Sequence, residues 1–143
     1  MAKKFGFDEL LAKREQREAD RLKIGMLTVP GSEYGLEARM PKDKVVLELF
    51  GELAAANEGT EALLCGNHAV YACCPQLWDK KLQEELGVQD DPMSILDVLF
   101  TVSEQNQLGG QALMFLGLIP DQNRPNSDED EQKKDPALET VKN

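Results

Sequence analysis

The chain is poor in the residues that most active-site chemistry needs. It carries a single histidine, His68, and three cysteines, Cys65, Cys73 and Cys74, in 143 residues. A cysteine–histidine dyad would have to use that one imidazole, and Cys65 is its only neighbour at helical spacing. The same four side chains are chemically zinc ligands. However, neighbouring cysteines on a helix point about 100° apart and rarely chelate one ion. An odd number of cysteines without an export signal reads as reduced thiols. The glycine-rich loops that cradle nucleotide phosphates are absent, and so is the spaced-carboxylate loop of a Ca2+ site. The adjacent carboxylates Glu84/Glu85 and Asp90/Asp91 fall at expected helix ends, where capping and solvation account for them. No cofactor, no metal and no catalytic residue is expected.

Aromatic residues make up 6 % of the chain. Trp78, Phe50, Tyr34, Tyr71 and Phe115 are read first as core. No apolar run approaches the roughly 20 residues that span a bilayer. The opening Met1-Ala2-Lys3-Lys4-Phe5 lacks the apolar centre of a signal peptide, so the expected compartment is the cytoplasm.

What the chain does have is negative charge, a net −10. A field of that sign repels phosphate backbones and anionic lipid, so neither nucleic acid nor membrane is expected as a partner. A protein with basic segments is compatible. The charge is uneven. Residues 1–23 hold Lys3, Lys4, Lys13, Arg14, Arg17, Arg21 and Lys23 against Asp8, Glu9, Glu15, Glu18 and Asp20. The acids concentrate downstream.

Periodicity divides the chain into three parts. Residues 7–23 read as a helical arm, with Asp8 as N-cap and opposite charges four apart at Glu9/Lys13 and Arg14/Glu18. Its apolar stripe is thin (Phe7, Leu10, Leu11, then Leu22), too little to be buried in its own domain. Residues 24–120 read as a mainly helical domain opening on a short β-hairpin at about 24–40, with Pro30-Gly31 as its turn. Gly25 and Gly35 are expected to weaken the two strands. A helix at 42–56 follows, stopped by Gly59. The next, at 61–73, is capped by Thr60 and nearly apolar all round, hence central. Cys74-Pro75 breaks it. A helix at 76–85 puts Leu77, Trp78 and Leu82 on one side and closes at Gly87. Asp91-Pro92 opens another, with Ile95, Leu96, Leu99 and Phe100 inward. Ser103 caps the last. There, Gly109-Gly110 either loosens the helix or admits the close approach of another. Residues 121–143 are polar, with an acidic cluster at Asp128, Glu129, Asp130 and Glu131, and are expected to be a disordered tail. The fold class is therefore mainly α, as an α+β arrangement of extended N-terminal helix, hairpin and helical domain.

The order of these elements, and several local motifs, resemble a known family. The opening Lys4-Phe5-Gly6-Phe7-Asp8-Glu9-Leu10-Leu11-Ala12-Lys13-Arg14-Glu15-Gln16-Arg17, followed by Asp20-Arg21-Leu22-Lys23, is similar to the start of the XkdN-like phage tail assembly chaperones. The middle is similar too: Tyr71-x3-Pro75-x-Leu77-x-Asp79-x2-Leu82, then Asp91-Pro92-x2-Ile95-x3-Leu99-Phe100. The resemblance covers residues 4–117.

It implies a protein of the host bacterial cytoplasm that binds the tape measure protein, the long helical chain that sets tail length. The chaperone keeps that chain soluble and extended until tail-tube protein polymerises around it. The alternative is a structural tail or baseplate component kept in the finished particle. The candidate partner surface is the arm, through Leu10, Leu11, Arg14, Arg17 and Arg21. Self-association through the arm is its second candidate role.

Overall fold

A computed structural model describes residues 2–120, and the expected disordered tail lies outside the described residues. The architecture is mainly helical with one hairpin. In chain order the elements are α1 (Phe7–Arg21), β1 (Ile24–Thr28), β2 (Gly35–Arg39), α2 (Asp43–Ala55), α3 (Gly59–Cys73), α4 (Lys80–Leu86), α5 (Ile95–Leu99) and α6 (Val102–Phe115). Short 3-10 turns at Pro75–Trp78 and Pro92–Ser94 precede α4 and α5.

The hairpin is antiparallel and pairs Ile24 with Arg39, Leu27 with Leu36 and Thr28 with Gly35. Alternation turns Leu27 and Ala38 into the core. The connection is built at Pro30-Gly31: the Ser32 N–H donates to the Val29 carbonyl at 3.1 Å, and Gly31 has φ +77°. A positive φ at that position is the mark of a type II turn, with proline before it. The two strand glycines are sites of close approach instead of weaknesses. A Cβ on Gly25 would fall 2.8 Å from the Phe115 ring, and one on Gly35 would fall 2.6 Å from the Leu27 carbonyl oxygen. Gln111 of α6 locks the hairpin in place. Its Oε1 accepts from the Thr28 N–H at 2.7 Å, and its Nε2 donates to the Thr28 carbonyl at 2.8 Å.

The centre of the molecule is the crossing of α3 and α6, as the apolar character of α3 predicts. Cys65, Gly66, Ala69, Val70 and Cys73 of α3 are buried, with Leu108, Gly109, Ala112 and Leu113 of α6 facing them. Leu49 of α2, Leu77, and Ile95 and Leu96 of α5 close the cluster. This core is aliphatic and small-chained, and the aromatic residues expected in it are elsewhere. Tyr34, Phe50 and Trp78 are exposed, and Tyr71 and Phe115 are only partly buried. Helices that approach at glycine leave room between them for alanine, cysteine and leucine, not for rings.

Several helix ends depart from the sequence reading. Gly6, not Asp8, is the N-cap of α1, and Glu9 folds back so that its Oε1 accepts from the Gly6 N–H at 3.0 Å. Gly59 begins α3 instead of stopping α2, and Thr60 lies inside α3 with Glu58 as N-cap. The Asn57 N–H and the Glu61 carboxylate close that junction at 2.6 Å. The helix expected over 76–85 is split. Asp79 interrupts it, accepting from the Lys81 and Leu82 N–H groups at 2.9 and 3.2 Å and capping α4. Carboxylate capping of free N–H groups competes with a continuous helix and wins here. Leu77 stays inside while Trp78 turns out, because adjacent side chains of a 3-10 turn diverge by about 120°. Leu99, expected inward, is exposed, since α5 ends there in extended backbone at Phe100. Thr101, not Ser103, caps α6. It forms a reciprocal box with Glu104: Thr101 N–H to Glu104 Oε1 at 3.0 Å, and Glu104 N–H to Thr101 Oγ1 at 3.2 Å.

Candidate interaction surface

α1 buries none of its residues. Its sequence is rich in good helix formers, and the Glu9 carboxylate takes up the Gly6 N–H at its start. Phe7, Leu10, Leu11, Arg14, Arg17 and Arg21 share one face at helical spacing. The N-terminal half of that face is apolar and bare: Phe7 is 77 % exposed and Leu10 55 %. Its C-terminal half is cationic and attached to the body.

The attachment is electrostatic. Arg17 reaches Asp43 Oδ1 at 2.8 Å, and Arg21 reaches Asp43 Oδ2 at 3.0 Å. One carboxylate thus receives two guanidinium groups at the first residue of α2, where the helix dipole also favours negative charge. The hydrogen bond from Arg17 holds the Asp43 carboxyl below its ordinary value, with the charges of Arg17 and Arg21 acting in the same sense against partial desolvation. Lys23 completes the link. Its Nζ donates to the Phe115 carbonyl at 3.2 Å and sits 4.8 Å from the Phe115 ring centroid. A polar cleft of about 440 Å3 runs between Arg17, Asp20 and Lys23 on one side and Asp43, Val46 and Phe115 on the other.

The five residues singled out from sequence therefore divide into two groups. Leu10, Leu11 and Arg14 are exposed, and Arg17 and Arg21 are exposed but engaged with their own body. Asp43 belongs to no motif in the sequence. Its only signal was an acid in the first turn of a helix that follows Pro41.

A second bare surface lies on the body. Met40, Val45, Tyr71, Ala72 and Trp78 line a mostly apolar groove of about 480 Å3, with Lys42, Glu48 and His68 at its rim. Trp78 is 46 % exposed, and its indole N–H donates to the Tyr71 carbonyl at 2.7 Å, which fixes the ring along the groove wall. His68 Nδ1 lies 2.8 Å from Glu52 Oε2.

The cysteines and His68 do not converge. The Cys65 thiol donates to the Leu49 carbonyl at 3.7 Å, while His68 faces Glu52 on the surface. Burial pushes the Cys73 and Cys74 thiols up to about 12, and burial followed by the charge of Glu52 raises Cys65. No group of three or more His, Cys, Asp or Glu side chains among the described residues is placed to hold a metal ion. No helix among them is long and apolar enough to cross a membrane. No family model, no curated protein and no solved structure matches this chain.

Proposed function

We propose that the chain is a phage or prophage tail assembly chaperone that binds the tape measure protein and keeps it soluble and extended in the host cytoplasm. The observation that carries this reading is the arm: a capped, 15-residue helix with no buried residue and a bare apolar stripe over Phe7, Leu10 and Leu11. A helix of that kind costs solubility in isolation and makes physical sense as a docking element. The resemblance of residues 4–23 and 71–100 to the XkdN-like chaperones is the ground for the choice of partner. An unshielded tape measure presents long apolar helix faces that self-associate. Small helical subunits that lay an amphipathic arm against those faces would cover them, and a net charge of −10 on each subunit keeps the coated chain dispersed.

Co-expression with the tape measure protein of the same gene cluster, followed by affinity capture and light scattering, tests the reading. A soluble complex with many copies of this chain per tape measure is expected. The double variant Leu10→Asp/Leu11→Asp should return the tape measure to the insoluble fraction. Recovery of this chain as a stoichiometric component of finished particles would instead favour a structural tail or baseplate role.

A further inference from the structure

α2 carries two apolar stripes, and its own fold uses only one of them. Val45, Val46, Leu49 and Leu53 turn inward, with Leu49 fully buried and the others packed against the core. Leu47, Phe50, Gly51 and Ala54 lie on the solvent side. They recur at i, i+3, i+4 and i+7, the spacing of a helix face that packs on something. Leu47 is 69 % exposed and Phe50 57 %, and Gly51 and Ala54 are exposed beside them. Glycine is a poor residue for the middle of a helix. Here it is not required by packing within the copy, since a Cβ on Gly51 would meet no atom within 4 Å.

The outer stripe is self-complementary. Its two large residues, Leu47 and Phe50, come first, and its two small ones, Gly51 and Ala54, follow. A second α2 laid antiparallel about the midpoint between Phe50 and Gly51 sets each Phe50 over a Gly51 and each Leu47 over an Ala54. A parallel partner would set ring on ring and leave the small residues facing each other. The charges agree with the antiparallel choice. Lys42 and Lys44 stand exposed at the start of α2, and Glu58 and Glu61 stand exposed just beyond its end. Lys44 lies in the first turn, against the dipole of its own helix. Neither Lys44 nor Glu58 enters an ion pair among the described residues. Antiparallel pairing brings the lysines of each copy to the carboxylates of the other. Asp43 is already held by Arg17 and Arg21.

We propose that the chain forms a two-fold dimer through this outer face of α2. The same patch is used by both copies, so the assembly closes at two. The stripe from Leu47 to Ala54 is about 11 Å long. That is short for the roughly 800 Å2 per partner of a stable interface, so the dimer is weak and forms at high concentration. No residue of the arm stripe takes part. A dimer therefore presents two free arms, and linking them raises their effective concentration on a long partner. The inference stands without the tape measure, and its failure would leave the chaperone reading in place.

Sedimentation velocity on the full chain alone, across a series to several hundred micromolar, tests it. The wild-type mass should rise to twice that of the monomer and stop. Phe50→Asp, at an exposed position, should weaken association at least about thirtyfold, as loss of an aromatic anchor does. Gly51→Gln should raise the thermal midpoint of the dilute monomer, because glutamine is the better helix former, and yet weaken the dimer by filling the recess under the partner's ring. A merely structural role for Gly51 would not move the two readouts in opposite directions.

Charge reversal gives the sharpest test. Lys44→Glu and Glu58→Lys should each weaken the dimer, and the double variant should recover it. The two residues sit at opposite ends of α2, so recovery requires a contact between copies. Four results would each overturn the proposal. These are a wild type that stays monomeric throughout, a mass that grows past two copies, stripe variants that dimerise like the wild type, and a double reversal no stronger than the single ones.

Discussion

Gly66 and Gly109 meet backbone to backbone where α3 crosses α6. A Cβ built on Gly66 would stand 3.0 Å from the Gly109 Cα, and one built on Gly109 would stand 2.9 Å from the Gly66 Cα. Neither obstacle is a flexible side chain that can swing aside, so a methyl group at either position must push the helices apart. Against this, alanine gains about 1 kcal/mol of helix propensity over glycine.

The contrast between adjacent glycines turns that relationship into a measurement. Gly109→Ala should destabilise the protein by a net of up to ~2 kcal/mol, since overpacking of a core costs ~1–3 kcal/mol before the propensity gain of about 1 kcal/mol. Gly110→Ala meets no atom within 4 Å and should stabilise by about 0.5–1 kcal/mol. Thermal and urea unfolding of the two variants should therefore move in opposite directions. Equal shifts would mean that the crossing is looser than this geometry.

Gln105 is a second point where the core depends on one side chain. Its Oε1 accepts from Asn67 Nδ2 at 2.9 Å, and its Nε2 donates to the carbonyls of Phe100 and Leu96 at 2.9 and 3.4 Å. Gln105→Leu keeps the bulk and leaves the Asn67 amide and the Phe100 carbonyl without this partner, while the Leu96 carbonyl keeps the Phe100 N–H at 3.0 Å; the cost should be about 2–3 kcal/mol. Asn67→Leu should cost less, because Asn67 Oδ1 already has no hydrogen-bond partner among the described residues. Denaturant midpoints of both variants check the ranking, and a larger effect at Asn67 would refute it.

The sequence was most legible where a single physical rule acted alone. The arm is legible in its helix formers and thin stripe, the hairpin in Pro30-Gly31, and the central helix in apolar residues all round. It was least legible where two local rules competed. Asp79 could continue a helix or cap one, and the cap prevailed. Gly59 could stop α2 or begin α3, and Thr101 and Ser103 both had the chemistry of a cap. The aromatic residues misled for a different reason. Their burial depends on where distant elements meet: Gly66 on Gly109, across 43 positions of sequence, leaves no space for a ring between α3 and α6, Tyr34 lies in the loop joining β1 to β2, and Trp78 sits on the outer side of its 3-10 turn. The same holds for the candidate site: Leu10, Leu11 and Arg14 were visible as an unburied stripe, but the clamp at Asp43 and the groove at Trp78 exist only once distant elements meet.

The thiols should be silent in the native state. Cys65, Cys73 and Cys74 are all buried, and raised thiol pKa values keep the reactive thiolate scarce at neutral pH. Reaction with a disulfide reagent should therefore proceed at the rate of unfolding and accelerate in urea in step with loss of the far-ultraviolet helical signal. Fast modification of even one cysteine in native buffer would show that the α3 end opens locally. If the thiols are silent, cysteines introduced at exposed positions become specific labelling sites without removal of the native ones.

Spin labels at Leu10→Cys and Glu48→Cys would use that property to test what holds the arm. With Asp43 ionised, Arg17 and Arg21 fix α1 against α2, and the distance distribution between the labels should be narrow. Asp43→Asn should broaden it, with the thermal midpoint of the body unchanged, because an exposed ion pair contributes little to global stability. Acid should act in the same way. The folded Asp43 carboxyl titrates below its ordinary 3.8, so its contribution is fully present above that value and is lost as pH falls through the lower folded one. The distribution should thus stay narrow through mildly acidic pH and broaden only below 3.8. High salt at neutral pH should broaden it partially, since both partners are exposed and screened. An arm that remains fixed in Asp43→Asn would mean that Lys23, through the Phe115 carbonyl and ring, carries the attachment, and Lys23→Ala would then be the variant that frees it.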